Sequence, residues 1–365
     1  MSSKKQRLSL LRKRWGKKSP QEIAVELGVS LRTVQRYAKE LGLPAYDDSV
    51  DTGELLKLIK EKSKTQKSQK HVRNLSERVL ELEAEVDAMQ ALKEHPTHYK
   101  ICPCEGDVKS EAVAVMVASD WHIEEMVYEW QVSGLNEFNA QICKERIGRF
   151  FRHGVKLLHK EQSRTHIDTL VLALLGDFIS GGIHDELLEG NRLLPIDAII
   201  EAQEHIASGI QYLLANTDVK LVIPCSSGNH GRMTQKIRIS TEAGNSLERM
   251  MYHSLAQQFA GEPRVQFVIS NGYHTYVKVF NFVMRFHHGH SVRYHGGVGG
   301  ITIPLNKAVD AWNKGRYADL DVIGHFHTFL DGGRWLANGS IVGYGAYALS
   351  IKASPEPPRQ AFFLV

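Results

Sequence analysis

Along the C-terminal two-thirds of the chain, hydrophobic residues come in short unbroken runs, each ending at a polar or glycine-rich step. AVAVMVAS (112–119), TLVLALL (169–175), KLVIPCSS (220–227), FVMRFH (282–287) and DVI (321–323) have strand length and strand composition. Residues near 197–215, between the second and third of these runs, carry helical periodicity instead. The pattern predicts a layered α/β structure with its chemistry at strand ends.

The N-terminal pattern is different. In SPQEIAVELGVSLRTVQRYAKELGLP (19–44), Ser19, Pro20 and Glu22 make a helix start with a capping box. Ile23, Ala24 and Leu27 share one face, Gly28 supplies a turn, and Ser30 caps a second helix striped by Leu31, Val34, Ala38 and Leu41. This leaves Arg32, Thr33, Gln35, Arg36 and Lys39 largely outward. The segment resembles the helix-turn-helix family. The resemblance implies a second helix in a DNA major groove, with Arg32, Gln35 and Arg36 as contacts. A small helical pair that binds protein would have the same apolar pattern.

Residues 51–70 are rich in Lys, Ser, Gln and Thr and read as a solvated helix or linker. Val72, Leu75, Val79, Leu82, Val86 and Met89 then recur at alternating three- and four-residue steps, a heptad seam. It predicts a short parallel coiled coil, and so a homodimer through residues 72–89. A helix packed on the downstream domain is the competing reading. HPTHYKICPCEGD closes the helical region near 107. The expected organisation is a DNA-binding domain over 1–48, a helical linker with coiled coil over 49–107, and an α/β domain over 108–365.

Charge sharpens the N-terminal reading. The whole chain of 365 residues carries a formal +4. Residues 1–45 hold eleven Lys/Arg against three Glu, a net +8, which leaves −4 for the remainder. Such asymmetry implies an anionic partner, most simply nucleic acid, although a solvated basic tail would carry the same charge. No apolar run approaches the roughly 18 residues of a membrane span, and no segment has signal-peptide form. Cys102, Cys104, Cys143 and Cys225 form no disulfide or CxxC framework. A cytoplasmic protein with reduced thiols and no membrane partner is expected.

The strand ends carry the chemistry. The five runs end in Asp120–Trp121–His122, Gly176–Asp177, Gly228–Asn229–His230, His288–Gly289–His290 and Gly324–His325–Phe326–His327. A lone histidine beside a strand is more often a packed core residue, and FHHGHS (286–291) decides nothing alone. Five such endings in one order supply two Asp, one Asn and several His. That is a hard oxygen and imidazole set suited to Mn, Fe or Zn.

Written as DWH, GD, GNH, HGH and GHFH, the series resembles that of the calcineurin-like metallophosphoesterase superfamily over residues 112–365. The resemblance implies an αββα sandwich of two mixed sheets flanked by helices. It also implies two divalent ions, Mn²⁺ first with iron, zinc or nickel as alternatives, and phosphate-ester hydrolysis by a hydroxide held between them. Asp120, His122 and His327 would complete one metal sphere and Asn229, His288 and His325 the other, with Asp177 bridging. His230 would stabilise the transition state or protonate the leaving oxygen. His290 would touch substrate or a metal-bound water, and His287, one strand step before His288, would be structural.

Two departures stand out. Gly231 follows GNH where the family often has an acidic residue that orients the histidine. FISGGIHDE follows GD, so only Asp185 or Glu186, from a longer loop, could replace a further family acid. Arg232, Lys236 and Arg238 lie beside the expected centre and would hold flanking phosphates of a polymer. NGSIVGYGAYALSIKASPEPPRQAFFLV (338–365) resembles the closing segment of calcineurin-like enzymes from bacteriophages and prophages, which implies a bacterial host cell. The leading expectation is a nuclease acting on DNA. The alternatives are a phosphatase or small-molecule phosphodiesterase that the N-terminal domain only localises, and a DNA-binding regulator with an inactive phosphoesterase fold.

Overall fold

The computed structural model describes residues 4–46, 78, 97–103, 110–183, 185–293 and 300–365. The chain divides into two units, Met1–Met89 and Gln90–Val365. The heptad seam at 72–89 lies outside the described residues.

Three helices build the described part of the first unit: α1 (Lys4–Arg14), α2 (Pro20–Leu27) and α3 (Leu31–Glu40). The Ser19 hydroxyl accepts the Glu22 amide at 3.2 Å, and Glu22 accepts the Ser19 amide at 2.9 Å. Gly28 ends α2 in the left-handed region at φ 60, a conformation open to glycine at little cost. Ile23, Ala24 and Leu27 then meet Val34, Tyr37 and Ala38. The sequence did not announce α1, whose residues read as a basic stretch. Its packing rests on Leu8, Leu11 and Trp15, and Leu11 is wholly buried in the shared core. Arg32, Gln35, Arg36 and Lys39 are exposed on α3.

All five apolar runs in the second unit are strands, and they belong to two sheets. One sheet has the order β11 (Phe362–Leu364), β2 (Ala114–Ala118), β3 (Thr169–Leu174), β4 (Lys220–Cys225), β5 (Val265–Ile269). The other runs β1 (His98–Ile101), β6 (Thr275–Val279), β7 (Phe282–His287), β8 (Leu320–Ile323), β10 (Trp335–Ala337), β9 (Leu330–Asp331). Both are mixed: β2 through β5 are parallel with β11 antiparallel on the edge, and β6 pairs antiparallel with β7 while β7 and β8 are parallel.

The two-residue period of a strand explains the layering. Ala114, Met116 and Ala118 join one core with α4 (Ala140–Gln162), α6 (Pro195–Asn216) and α7 (Leu247–Gln258). The short α5 (Asp185–Gly190) buries no residue, and Asp185 and Glu186 in its first turn are exposed. Val113, Val115 and Val117 point the other way, into a second core shared with Val277, Val279, Met284 and Phe286 of the facing sheet. On the far side, α8 (Thr302–Asn313) sets Leu305 and Val309 against Ile323, Trp335 and Ala337. Burial on both faces explains why the central strands are unbroken apolar runs. The result is an αββα sandwich of two mixed sheets, the architecture implied by the resemblance.

One boundary needs correction. His98–Ile101, expected within the helical linker, is a strand that adds parallel to β6 with Tyr99 opposite Val277. Ile101 is its one buried residue, so the hydrophobic pattern carried almost no strand signal. Deeper in the same sheet, Arg285 grips Asp321 with two bonds of 2.6 and 2.8 Å, both residues fully buried. His287 Nε2 lies 3.2 Å from that carboxylate. It faces away from its neighbour His288 and is structural, as its strand position predicts.

Candidate metal centre

Each strand end turns sharply, and the turns place the side chains. Asp120, His122, Asp177, His325 and His327 all have positive φ, between 41 and 71. Non-glycine residues rarely adopt this conformation, and where they do, the surrounding structure must enforce it. Here the enforcement is visible as backbone bonds between neighbouring turns. The Asp120 amide donates to Gly176 O at 3.0 Å, His122 N to Asp177 O at 3.1 Å, and Gly324 N to His288 O at 2.9 Å. The turns approach closely. A Cβ at Gly228 would lie 2.0 Å from Asp177 Oδ1, and one at Gly324 2.5 Å from Asp120 Oδ2.

Two clusters result. Asp120, His122 and His327 form one, and Asp177, His288 and His325 the other, the ligand atoms of each within 4.8 Å of one another. In the first, His122 Nε2 and His327 Nε2 are 3.1 Å apart, and His327 Nε2 is 3.5 Å from Asp120 Oδ1. In the second, His288 Nδ1 donates to the Leu175 carbonyl at 2.7 Å, which turns Nε2 toward Asp177 Oδ2 at 2.8 Å. The clusters are joined directly, because the His325 amide donates to both Asp120 oxygens at 2.9 and 3.1 Å.

Burial sets the protonation states. It holds the His122 and His325 imidazoles well below their ordinary pKa, with neighbouring rings adding to the effect, and lowers His327 to about 4. These rings are therefore neutral near pH 7 and present lone pairs, the form that binds metal. Burial likewise raises Asp120 to about 7, with the Asp177 charge contributing. For Asp177 burial pushes upward too, but the His288, His230 and His122 rings overcome it and hold the carboxyl well below its usual range. His288 is the counterpart: burial opposes its charge, yet the Asp177 carboxylate raises it to about 10.

The donor set fits divalent cations. His288 Nε2 and Asn229 Oδ1 are buried and make no well-directed hydrogen bond. An imidazole lone pair 2.8 Å from a carboxylate oxygen is repelled unless a proton or a metal ion lies between them. Nitrogen and oxygen donors without thiolate suit Mn, Fe or Zn and exclude an iron–sulfur cluster.

The remaining sequence-predicted residues fall around the pair. His230 donates Nδ1–H to the Ser180 carbonyl at 2.9 Å, and its Nε2 lies 4.0 Å from Asp177 Oδ2. The group that orients it is thus a backbone carbonyl and not a carboxylate, which answers the question raised by Gly231. His290 is buried, with Nε2 3.1 Å from Glu242 Oε1 and its ring against Tyr273. Arg232 differs from expectation. Its guanidinium donates to the carbonyls of Asn229, Thr234 and Gln235, at 2.7, 3.0 and 3.3 Å. It holds the Asn229 loop together, with three of its five N–H donors given to carbonyls. Lys236 and Arg238 are exposed.

Two buried acids carry no sequence signal. Glu124 Oε1 accepts the Ser180 and Gly181 amides, both at 2.8 Å, and burial raises it to about 7. Glu248 accepts the Phe178 and Gly228 amides, both at 2.7 Å. Burial, with Asp177 nearby, pushes its carboxyl upward, while the two amides it accepts favour the ionised form. Each lies far along the chain from the loop it holds.

No protein-family model matches the chain, and no curated protein does. Among solved structures, a phosphopantetheinyl hydrolase from Mycobacterium tuberculosis is similar at 10% identity. The match covers 68% of this chain and 96% of that one with a TM-score of 0.28. The sulfate thiohydrolase SoxB from Thermus thermophilus is similar at 10% identity, covering 66% of this chain with a TM-score of 0.24. The match spans about half of that protein's length, 52%. Likenesses this distant carry no argument about chemistry, which rests on the side chains gathered at the strand ends.

Proposed function

We propose that the second unit is a metal-dependent phosphodiesterase, and that the whole chain is a nuclease brought to DNA by its N-terminal helices. One observation carries the reading: two Asp/His clusters lie side by side at the sheet ends, with Asp177 between His288 and the His230 amide. Asp120, His122 and His327 would hold one divalent ion, and Asn229, His288 and His325 the other, with Asp177 reaching both. Such a pair, Mn²⁺ first among candidates, would activate a water and neutralise charge growing on the phosphoryl oxygens.

The chain's own residues do the rest. Asp177 Oδ1 accepts the His230 amide at 2.8 Å, so the carboxylate also fixes the loop that carries the acid. The Ser180 carbonyl takes His230 Nδ1–H and leaves Nε2 facing the clusters, where a proton on Nε2 passes to the leaving oxygen. Lys236 and Arg238 would bind phosphates on either side of the one being cut. On α3, Arg32, Gln35 and Arg36 form an exposed face suited to base edges and phosphates.

The test is a substrate panel. Purified protein with Mn²⁺ is incubated with single- and double-stranded DNA, RNA and a chromogenic phosphodiester. DNA hydrolysis that disappears in Asp177→Ala and His230→Ala supports the reading. Hydrolysis of the small ester alone would move the assignment to a small-molecule phosphodiesterase, and turnover of none of them would defeat it.

A further inference from the structure

Glu248 sits in the first turn of α7, where an acidic residue ordinarily serves the helix dipole. Its side chain does something else. It is fully buried, and its two oxygens reach two different loops. Oε1 accepts the amide of Phe178, the residue after Asp177, and Oε2 accepts the amide of Gly228, the residue before Asn229. Both bonds are 2.7 Å. One turn on along the same helix face, Tyr252 donates to the Ser226 carbonyl at 3.0 Å, a second anchor on the loop that leaves β4. The neighbourhood leaves no slack: a Cβ at Gly231 would lie 2.8 Å from Glu248 Cγ and 3.4 Å from Oε2.

We propose that Glu248 is a positioning residue that clamps the Asp177 loop to the Asn229–His230 loop and so sets the spacing of the two ligand clusters. This rests on the metal-centre reading above. The carboxylate touches no ligand side chain and no substrate. It acts through the amides of two residues, each adjacent in sequence to a ligand residue. A neutral amide of the same shape cannot replace it, because glutamine at this position would offer one acceptor and oppose the second N–H with its own NH₂ group. The arrangement also accounts for glycine at 231, since any side chain there would push the carboxylate off its two amides.

The experiment uses the full-length chain and Mn²⁺ alone, with no substrate. Calorimetry counts the ions, and electron paramagnetic resonance distinguishes an exchange-coupled Mn²⁺ pair from isolated ions. The parent binding two ions with a coupled signal establishes the metal-centre reading by itself. In Glu248→Gln, the affinity for at least one ion falls by about 10–100-fold, the usual effect of losing a group that supports a ligand, and the coupled signal gives way to that of isolated ions. A Glu248→Gln protein that binds two ions with parental affinity and an unchanged coupled spectrum overturns the proposal while leaving the metal centre intact. If the parent binds no Mn²⁺, the metal-centre reading falls and this proposal with it. Should Glu248→Gln not fold, Gly231→Ala serves, since it keeps every ligand and the carboxylate but presses on Glu248 Cγ. A smaller loss of affinity and coupling in that variant supports the clamp, and parental behaviour overturns it.

Discussion

Replacing Asp120 with asparagine should make the metal-free protein more stable and shrink the stability it gains from metal. In the folded chain burial raises the Asp120 carboxyl from 3.8 to about 7. A carboxyl whose folded pKa lies above its unfolded value binds its proton more tightly when folded. Its ionisation therefore costs nothing below the unfolded pKa, and the cost is complete above the folded one. A shift of roughly three units corresponds to about 4 kcal/mol above neutral pH. Asparagine avoids this and keeps all but one of the contacts, since the His325 amide, shared now between two oxygens, would have one acceptor. Its carbonyl oxygen can accept the His325 amide, and its NH₂ can donate to the Ser119 hydroxyl, which now bonds the carboxylate. For a unit of this size the gain is on the order of 10 °C in melting temperature. Thermal melts in a chelator, at about pH 8 and about pH 4, read it directly, with a large gap at the higher pH that closes at the lower. Mn²⁺ at about 100 times its Kd then adds about 2.7 kcal/mol to the parent at each occupied site, and the variant loses most of that at the one site Asp120 serves, so the gap between them narrows to about 1 kcal/mol. A variant that melts at or below the parent in chelator at high pH, or a gap that persists to low pH, would refute the reasoning.

Metal affinity should also follow pH. It should rise as Asp120 loses its proton through about 7 and go on rising toward about 10, where His288 gives up its own, so equal Mn²⁺ affinity by calorimetry at about pH 6 and about pH 8 would contradict the assignment. His230→Ala should lower kcat about 10²–10⁴-fold with Mn²⁺ binding unchanged, which separates proton delivery from ligation. Arg285→Met should destabilise the second unit by about 3–5 kcal/mol in denaturant titrations, because it leaves Asp321 buried without its partner. A loss under about 1 kcal/mol would show that His287 compensates. Arg36→Ala should weaken DNA binding about equally across sequences if the side chain contacts phosphate, reducing the salt slope by about one. A loss confined to one sequence would assign it to a base edge.

The strands that bear ligands were legible in the sequence because two independent signals coincide there. An apolar run buried on both faces stops abruptly, and the next residues are glycine with Asp, Asn or His. The edges were not legible: β1 has one buried residue, and β9 and β10 span two and three residues. Helix α1 was hidden for a related reason, since charged residues surround the few apolar positions that hold it. In the site, the residues of both metal clusters were visible by type, but their supports were not. Glu248 reads as an ordinary helix-start acid, and Glu124 as one more charge in HIEEM. Nothing local reports that either will fold back onto amides 20–70 positions away. Arg232 shows the converse: a cation beside a phosphate-binding motif suggests a phosphate contact, yet carbonyls of its own loop take three of its donors.

The left-handed backbone at Asp120, His122, Asp177, His325 and His327 has an evolutionary corollary. Each such residue holds on the order of 1 kcal/mol or more of conformational strain that glycine would release and asparagine would lessen. Selection for catalysis opposes that relaxation. In a lineage that no longer needed hydrolysis, or in a laboratory library screened for heat resistance alone, these five codons should be among the earliest to drift toward glycine and asparagine.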